Sequence, residues 1–169
     1  MKEILGKEWF NRDAEKVAQE LLGKYLICGN IALPITETEA YVGPQDLASH
    51  ASKGRTKRTE VMFGPPGHWY IYLIYGMYNM LNIVTREKDY PAAVLIRGAG
   101  DYDGPGKLTK ALGIDRKFNT QEATSESGLW VEDRGMRVEN KDIERTSRIG
   151  VGYAKEWSTK PFRYVLKKD

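Results

Sequence analysis

Apolar positions along the chain switch between a helix period and a strand period. "NRDAEKVAQELLGKYLI" sets Ala14, Val17, Leu21 and Leu22 at helical spacing between an Asx/Asp start and Gly23, which predicts a short amphipathic helix with an acidic N-cap and a glycine C-cap. Residues 24–29 and 31–41 are apolar, β-branched runs divided by the turn signal "GN", and they predict two strands. "WYIYLIYGMYNMLNIV" has aromatic and β-branched residues on both sides of Tyr75, Gly76 and Met77, predicting a hairpin that turns near Gly76. "AAVLIRGAG" predicts a strand carrying Arg97 at its end, and "GPGKLTKALGI" a helix from about residue 106 with Leu108, Ala111 and Leu112 on its apolar side. "GLWVED" and "RIGVGYAKEWSTKPFRYVLKK" predict short strands and turns that close the sheet. The stretch from 42 to 68 is rich in Gly, Pro, Ser and Thr, so it predicts a loop with one helical turn at Gln45 to His50. An irregular segment of that length inside a domain is a mark of function. The expected class is α+β, mainly antiparallel, with a protruding β-hairpin and surrounding short helices.

One strand departs from ordinary patterning. In "ITETEAYVG", strict alternation places Ile35, Glu37, Glu39 and Tyr41 on one face and Thr36, Thr38 and Ala40 on the other. A face that begins apolar and turns acidic and aromatic is not a plain core face. A carboxylate beside aromatic rings and partly out of water can act as a general base, and can stabilise positive charge developing at a sugar carbon. Paired carboxylates are more often solvated charges or partners of arginines, and Arg97 suits either role. The hairpin raises a similar choice. Trp69, Tyr70, Tyr72, Tyr75 and Tyr78 fall within ten residues; core packing is the default for such a run, whereas stacking on nucleic-acid bases is the other use of it. An aromatic at a hairpin tip has the form of a wedge for the gap left when a base is flipped out of a duplex.

Composition narrows the field. The 169 residues suit a single domain spanning 1–169, and the formal net charge of +3 permits an anionic partner without requiring one. "KGRTKR" gathers Lys53, Arg55, Lys57 and Arg58, and a later basic set comprises Arg137, Lys141, Arg145 and Arg148. The lone cysteine, Cys28, rules out an intramolecular disulfide and is expected to be a buried structural thiol. Two histidines, His50 and His68, come with no H-E-x-x-H and no cysteine pair, so no metal and no cofactor is expected. "GPGKL" is not a nucleotide P-loop, because Asp101 stands where the first glycine belongs and Leu108 where Ser or Thr is required. Amides at that helix start, with Lys107, remain able to hold one phosphate of a polymer. No apolar run approaches the ~18 residues of a membrane span and no export signal opens the chain; a cytoplasmic or otherwise intracellular protein is expected.

Taken in order, "ETEAYVGPQDLASH", "MFGPPGHWYIYLIYGMYNMLNIV", "AAVLIRG", "GPGKLTKALGI" and "RIGVGYAKEWSTKPFR" run from near Trp9 to about Arg163. Together they resemble the alkyladenine (3-methyladenine) DNA glycosylase family. The resemblance implies a monofunctional base-excision enzyme of compact α+β fold, distinct from the helix-hairpin-helix glycosylases. Such an enzyme acts as a monomer on double-stranded DNA, without cofactor, and hydrolyses the N-glycosidic bond of purines such as 3-methyladenine, 7-methylguanine, hypoxanthine or ethenoadenine. It implies Glu39 as the general base on water, with Arg97 and the backbone near Ile149 positioning that water. It implies Tyr41 and Tyr72 as the aromatics that sandwich the flipped base, His50 beside them, and Asn82 disfavouring normal guanine. Tyr75 matches the intercalating residue, supported by Met77; Lys53, Arg55, Lys57, Arg58 and Lys107 are the implied phosphate contacts. Glu37 is left with a supporting or surface role. Only six residues separate Arg97 from Gly104, where members of that family can carry a longer excursion. The competing readings are a catalytically silent nucleic-acid-binding domain and a carbohydrate glycosidase using Glu37 and Glu39 as an acid–base pair.

Overall fold

A computed structural model describes residues 2–168. In chain order the strands are β1 (Glu3–Ile4), β2 (Tyr25–Cys28), β3 (Ile31–Tyr41), β4 (Trp69–Ile74), β5 (Tyr78–Thr85), β6 (Ala92–Ala99), β7 (Tyr102–Asp103), β8 (Leu129–Asp133), β9 (Ile143–Thr146) and β10 (Arg163–Leu166). The helices are α1 (Lys7–Phe10), α2 (Ala14–Leu21) and α3 (Pro105–Leu112), and short 3-10 helices lie between β3 and β4 and after α3. All strands pair antiparallel, in the order β1-β8-β2-β3-β6-β5-β4, with β10 beside β3 and β9 and with β7 beside β6. The class is α+β, as the patterning predicts.

β3 organises the sheet. Its first half pairs with β2, its second half with β10, and its other edge with β6 along most of its length. α2 and α3 cover one face, where Phe10, Val17, Leu21, Leu26, Trp69, Leu81, Ile83, Val94, Ile96 and Leu108 form the main core. Each such aliphatic or Phe side chain contributes about 1.5–3 kcal/mol by leaving water. The Thr38 hydroxyl donates to the Ala18 carbonyl of α2 at 2.8 Å, which ties β3 to that helix. The opposite face of β3, β4, β5 and β6 carries the unusual residues.

Several expectations change in detail. Ile35 lies in the main core with Ala40, not on the face of Glu37 and Glu39. The β3–β6 register shifts twice, between Ile35 and Glu37 and again between Glu37 and Thr38. Thr36 is skipped on one strand and Arg97 on the other, and such bulges re-aim side chains. Asp13 is the N-cap residue of α2 but makes no side-chain cap bond; its carboxylate pairs with Arg86 at 3.1 Å instead. On α3, Ala111 is exposed, and Thr109 takes the buried place, its hydroxyl donating to the Asn79 carbonyl at 2.9 Å. The helical turn expected at 45–50 comes later, as a 3-10 turn over His50–Lys53 capped by the Ser49 side chain. Cys28 is half-buried, and its thiol donates to the Leu112 carbonyl at 3.4 Å. β1, α1 and β7 lack a sequence signal of their own, being too short to show a period. No helix among the described residues is long and apolar enough to cross a membrane.

Candidate active site

The face of the sheet away from α2 and α3 opens into a cavity of about 600 Å³. Glu39, Tyr41, His50, Arg58, Tyr70, Tyr72, Tyr75, Asn82, Arg97, Ile149 and Tyr153 line it. The strand period explains the assembly: Glu39 and Tyr41 on β3, Tyr70 and Tyr72 on β4, Asn82 on β5 and Arg97 on β6 reach one space from four adjacent strands. Trp69 has the other parity and is fully buried in the main core.

Glu39 has no exposed surface. Its Oε1 accepts the Tyr41 hydroxyl at 2.9 Å, its Oε2 accepts the Ile149 amide at 2.8 Å, and Arg97 Nε lies 3.8 Å from Oε2. Burial pushes the Glu39 carboxyl above the usual range, against the opposing pull of Arg97, the Ile149 amide, Tyr41 and Arg148. Burial, then the Glu39 charge, holds the Tyr41 phenol well above its ordinary value. Glu37 is also buried, and its Oε2 accepts from Arg97 Nε at 2.9 Å and Arg163 Nε at 2.6 Å. Its surface role is thereby corrected: Glu37 belongs to the wall behind the cavity, one ion pair away from Glu39.

His50 meets Tyr72 edge-on, with ring centroids 4.6 Å apart, and its Nδ1 lies 3.4 Å from the Tyr70 hydroxyl. Burial, Arg58 and Lys53 lower the His50 pKa, which favours the neutral imidazole. Asn82 is buried, and its Nδ2 donates to the Tyr70 and Met80 carbonyls at 3.3 Å each. At the hairpin tip Tyr75 is 88 % exposed and Met77 65 % exposed. The Met77 amide donates to the Ile74 carbonyl, and both central residues have positive φ, 51° at Tyr75 and 66° at Gly76. That is the requirement of a type I′ turn, and it holds Tyr75 in a left-handed region that glycine and asparagine tolerate better.

The basic residues divide. Arg58 lies over the Tyr72 ring at 5.1 Å and lines the cavity. Arg55 pairs with Asp89 at 2.7 Å and Glu60 at 3.0 Å and covers Phe63. Lys107 is exposed and 3.8 Å from Asp103; Lys53 and Lys57 are exposed. Gly106 has a packing reason, since a Cβ there would stand 2.6 Å from Tyr78 Cδ1. Of the later basic set, Arg148 is no surface charge. Fully buried, it pairs with buried Asp46 at 2.6 and 2.9 Å, donates to the Ala40 carbonyl at 2.8 Å and lies 4.9 Å over the Tyr41 ring. Asp46 also accepts the Val42 and Ala48 amides. This pair joins β3, the loop leading to His50 and the loop bearing Ile149. Sequence reasoning missed it because the partners lie 102 positions apart; the only local trace is Asp46 inside a turn-rich segment.

Among the described residues no group of three or more His, Cys, Asp or Glu is placed to hold a metal ion. The arrangement instead offers a dry carboxylate, aromatic walls and a projecting tip.

Comparison with known proteins identifies the family. The family model for methylpurine-DNA glycosylase matches residues 8–101 and 101–169, and its two pieces meet inside the short Arg97–Gly104 connection. A protein of Methanocella arvoryzae is 44% identical, with 98% of this chain and 94% of that protein aligned. One from Rickettsia felis is 44% identical over 96% of this chain and 93% of its own length. A Legionella pneumophila (strain Paris) protein is 43% identical over 100% and 97%. All three are provisionally named 3-methyladenine DNA glycosylase. The chain belongs to the methylpurine-DNA glycosylase family and is a DNA glycosylase, a hydrolase of N-glycosyl bonds in DNA repair.

Proposed function

We propose that the protein flips alkylated or deaminated purines, of the 3-methyladenine, 7-methylguanine, hypoxanthine and ethenoadenine class, out of duplex DNA into the cavity and removes them with an activated water. The observation that carries this reading is the fully buried Glu39 carboxylate on the floor of an aromatic-walled cavity beside the Tyr75 hairpin. The flipped purine lies between Tyr41 and the His50–Tyr72 pair. Glu39 takes a proton from water as the water oxygen bonds to C1′, and the C1′–N bond breaks with its electrons passing to the base. Arg97 and the backbone at Ile149 position that water. An N-alkylated purine leaves as a neutral molecule because it carries its positive charge beforehand, whereas hypoxanthine requires a proton at the leaving base. Asn82, held by two backbone carbonyls, closes the floor against guanine's amino group. Tyr75, with Met77 beside it, fills the gap in the stack. Lys53, Lys57 and Lys107 contact phosphates without specifying sequence; Arg55 and Arg58 join them only by loosening contacts they already make. The protein acts as a monomer and as one domain, inside the cell.

The test is excision from end-labelled duplexes holding one hypoxanthine or ethenoadenine, and from alkylated genomic DNA, in EDTA, followed by alkali. Free damaged purine with strand scission only after alkali is the expected result and orders the substrates. Tight lesion binding with no base released from any substrate would replace the proposal with a silent damage-binding protein.

A further inference from the structure

Glu37 is the acidic residue of "ETEAY" that the reaction above does not use, and it is not at the surface. Arg97 Nε is 2.9 Å from Glu37 Oε2 and 3.8 Å from Glu39 Oε2. Among the described residues the only hydrogen bond of the Arg97 side chain goes to Glu37. Glu37 is held from the other side by Arg163 of β10, at 2.6 Å on the same oxygen, and Arg163 Nη1 donates to Thr146 Oγ1 of β9 at 3.0 Å. The double register shift produces this placement: with Thr36 and Arg97 both bulged, Glu37 stands opposite Gly98, where a Cβ would lie 2.9 Å from Thr36 Oγ1. An arginine released from Glu37 has one anionic neighbour left within reach, Glu39. A close Arg97–Glu39 pair would fill the approach of the water and make the carboxylate a weaker base, because an adjacent cation favours its ionised form.

We propose that Glu37 is a positioning residue that restrains Arg97 from collapsing onto Glu39, so that the reacting water keeps its place beside that carboxylate and the carboxylate stays basic. Arg163 shares Glu37 and so limits the restraint. The proposal rests on Glu39 being the base. Four other groups face Glu39, and two of them, the Tyr41 hydroxyl and the Ile149 amide, donate to it. Tyr41 is on its own strand and Tyr72 on β4; the Ile149 amide belongs to the loop before β10, and Arg148 on that loop is neutralised by Asp46. Burial holds Glu39 high even with Arg97 at its present distance, as a restrained arginine requires.

The test is the pH dependence of single-turnover excision of 7-methylguanine from duplex DNA. That base is already cationic, so the acid limb reports the general base alone. Glu37→Gln is expected to move the acid limb down by about one pH unit and to lower the plateau rate about tenfold or more. Arg163→Gln leaves Arg97 as the sole claimant on Glu37, and its limb is expected to move up by a few tenths. Unmoved limbs in both variants, with only rate or stability reduced, would reduce Glu37 to a structural ion pair and overturn the proposal. If Glu37→Gln does not fold, a downward shift or no shift in Arg163→Gln overturns it on its own. Glu39→Gln run beside them separates the two levels: retained excision there sinks the assignment of the base, whereas an inactive Glu39→Gln with unmoved limbs sinks only the role of Glu37.

Discussion

A general base must be dry enough to be basic and must still be ionised when water arrives. Glu39, the proposed base, meets the first demand by having no exposed surface, and the second by accepting two hydrogen bonds with a cation 3.8 Å away. The cost falls on the fold. Because burial raises the Glu39 pKa, the folded chain holds that proton more tightly than the unfolded chain. Its stabilising contribution is therefore complete in acid and is lost as pH rises through the folded value. Glu39→Gln is expected to keep lesion binding, to abolish excision and to raise stability at pH 7 by about 1 kcal/mol, or about 2–4 °C in Tm. The gain should vanish when melting is repeated below the ordinary carboxylate range; a gain that persists in acid would mean that the charge is not its source. The Asp46–Arg148 pair behaves oppositely. Asp46→Asn or Arg148→Met alone is expected to cost about 3–5 kcal/mol in urea unfolding, and the double change much less than the sum of the two.

At the scale of elements, the proposed wedge role of the hairpin implies the same exchange between stability and function. Tyr75 occupies positive φ at the tip of β4–β5, a position that glycine or asparagine tolerates better. Tyr75→Gly is expected to leave Tm unchanged or raised and to weaken binding of lesion duplex more than tenfold, with little change toward undamaged duplex. Equal losses on both duplexes, measured by fluorescence anisotropy, would remove the wedge role. The strands themselves were legible because alternation and turn residues are local signals: β2, β3, the hairpin and β6 lie within a residue or two of expectation. What escaped is non-local. Parity alone put Ile35 beside Glu37, because nothing within "ITETEAY" announces that Thr36 is skipped when β3 meets β6. Ala111 and Thr109 exchanged places because the hydroxyl of Thr109 finds the Asn79 carbonyl only once α3 is docked on β5. The residues of the candidate site were legible individually, and mostly through the family resemblance. Arg97 was open as a partner of the paired carboxylates, but its choice of Glu37 and the share of Arg163 in that carboxylate were not legible, since each needs two strands in register.

For the whole molecule, a formal charge of +3 is modest for a DNA-binding protein, and part of the basic surface is already engaged by Asp89 and Glu60. Electrostatic attraction should accordingly be real but limited. Exposed lysines are expected to govern the salt response: Lys107→Ala, at most loosely paired with exposed Asp103, should reduce the slope of log affinity against log salt by about 1. Arg55→Ala should leave that slope nearly unchanged and be felt in melting instead. A full loss of slope at Arg55 would show that its internal pairs open when DNA binds.

β3 carries one further consequence. Glu39 lies opposite Leu95 of β6 and Arg163 of β10, so its strand is laced on both edges, while the tip at Tyr75 is closed by a single turn bond. Amide protons around Glu39 will exchange with solvent deuterium only when the sheet opens as a whole, and those around the tip will exchange through local fraying. Under the proposed roles, the tip at Tyr75 can bend to each base pair it passes while the strand of Glu39 keeps its shape, so that searching and chemistry would draw on different parts of the molecule's motion.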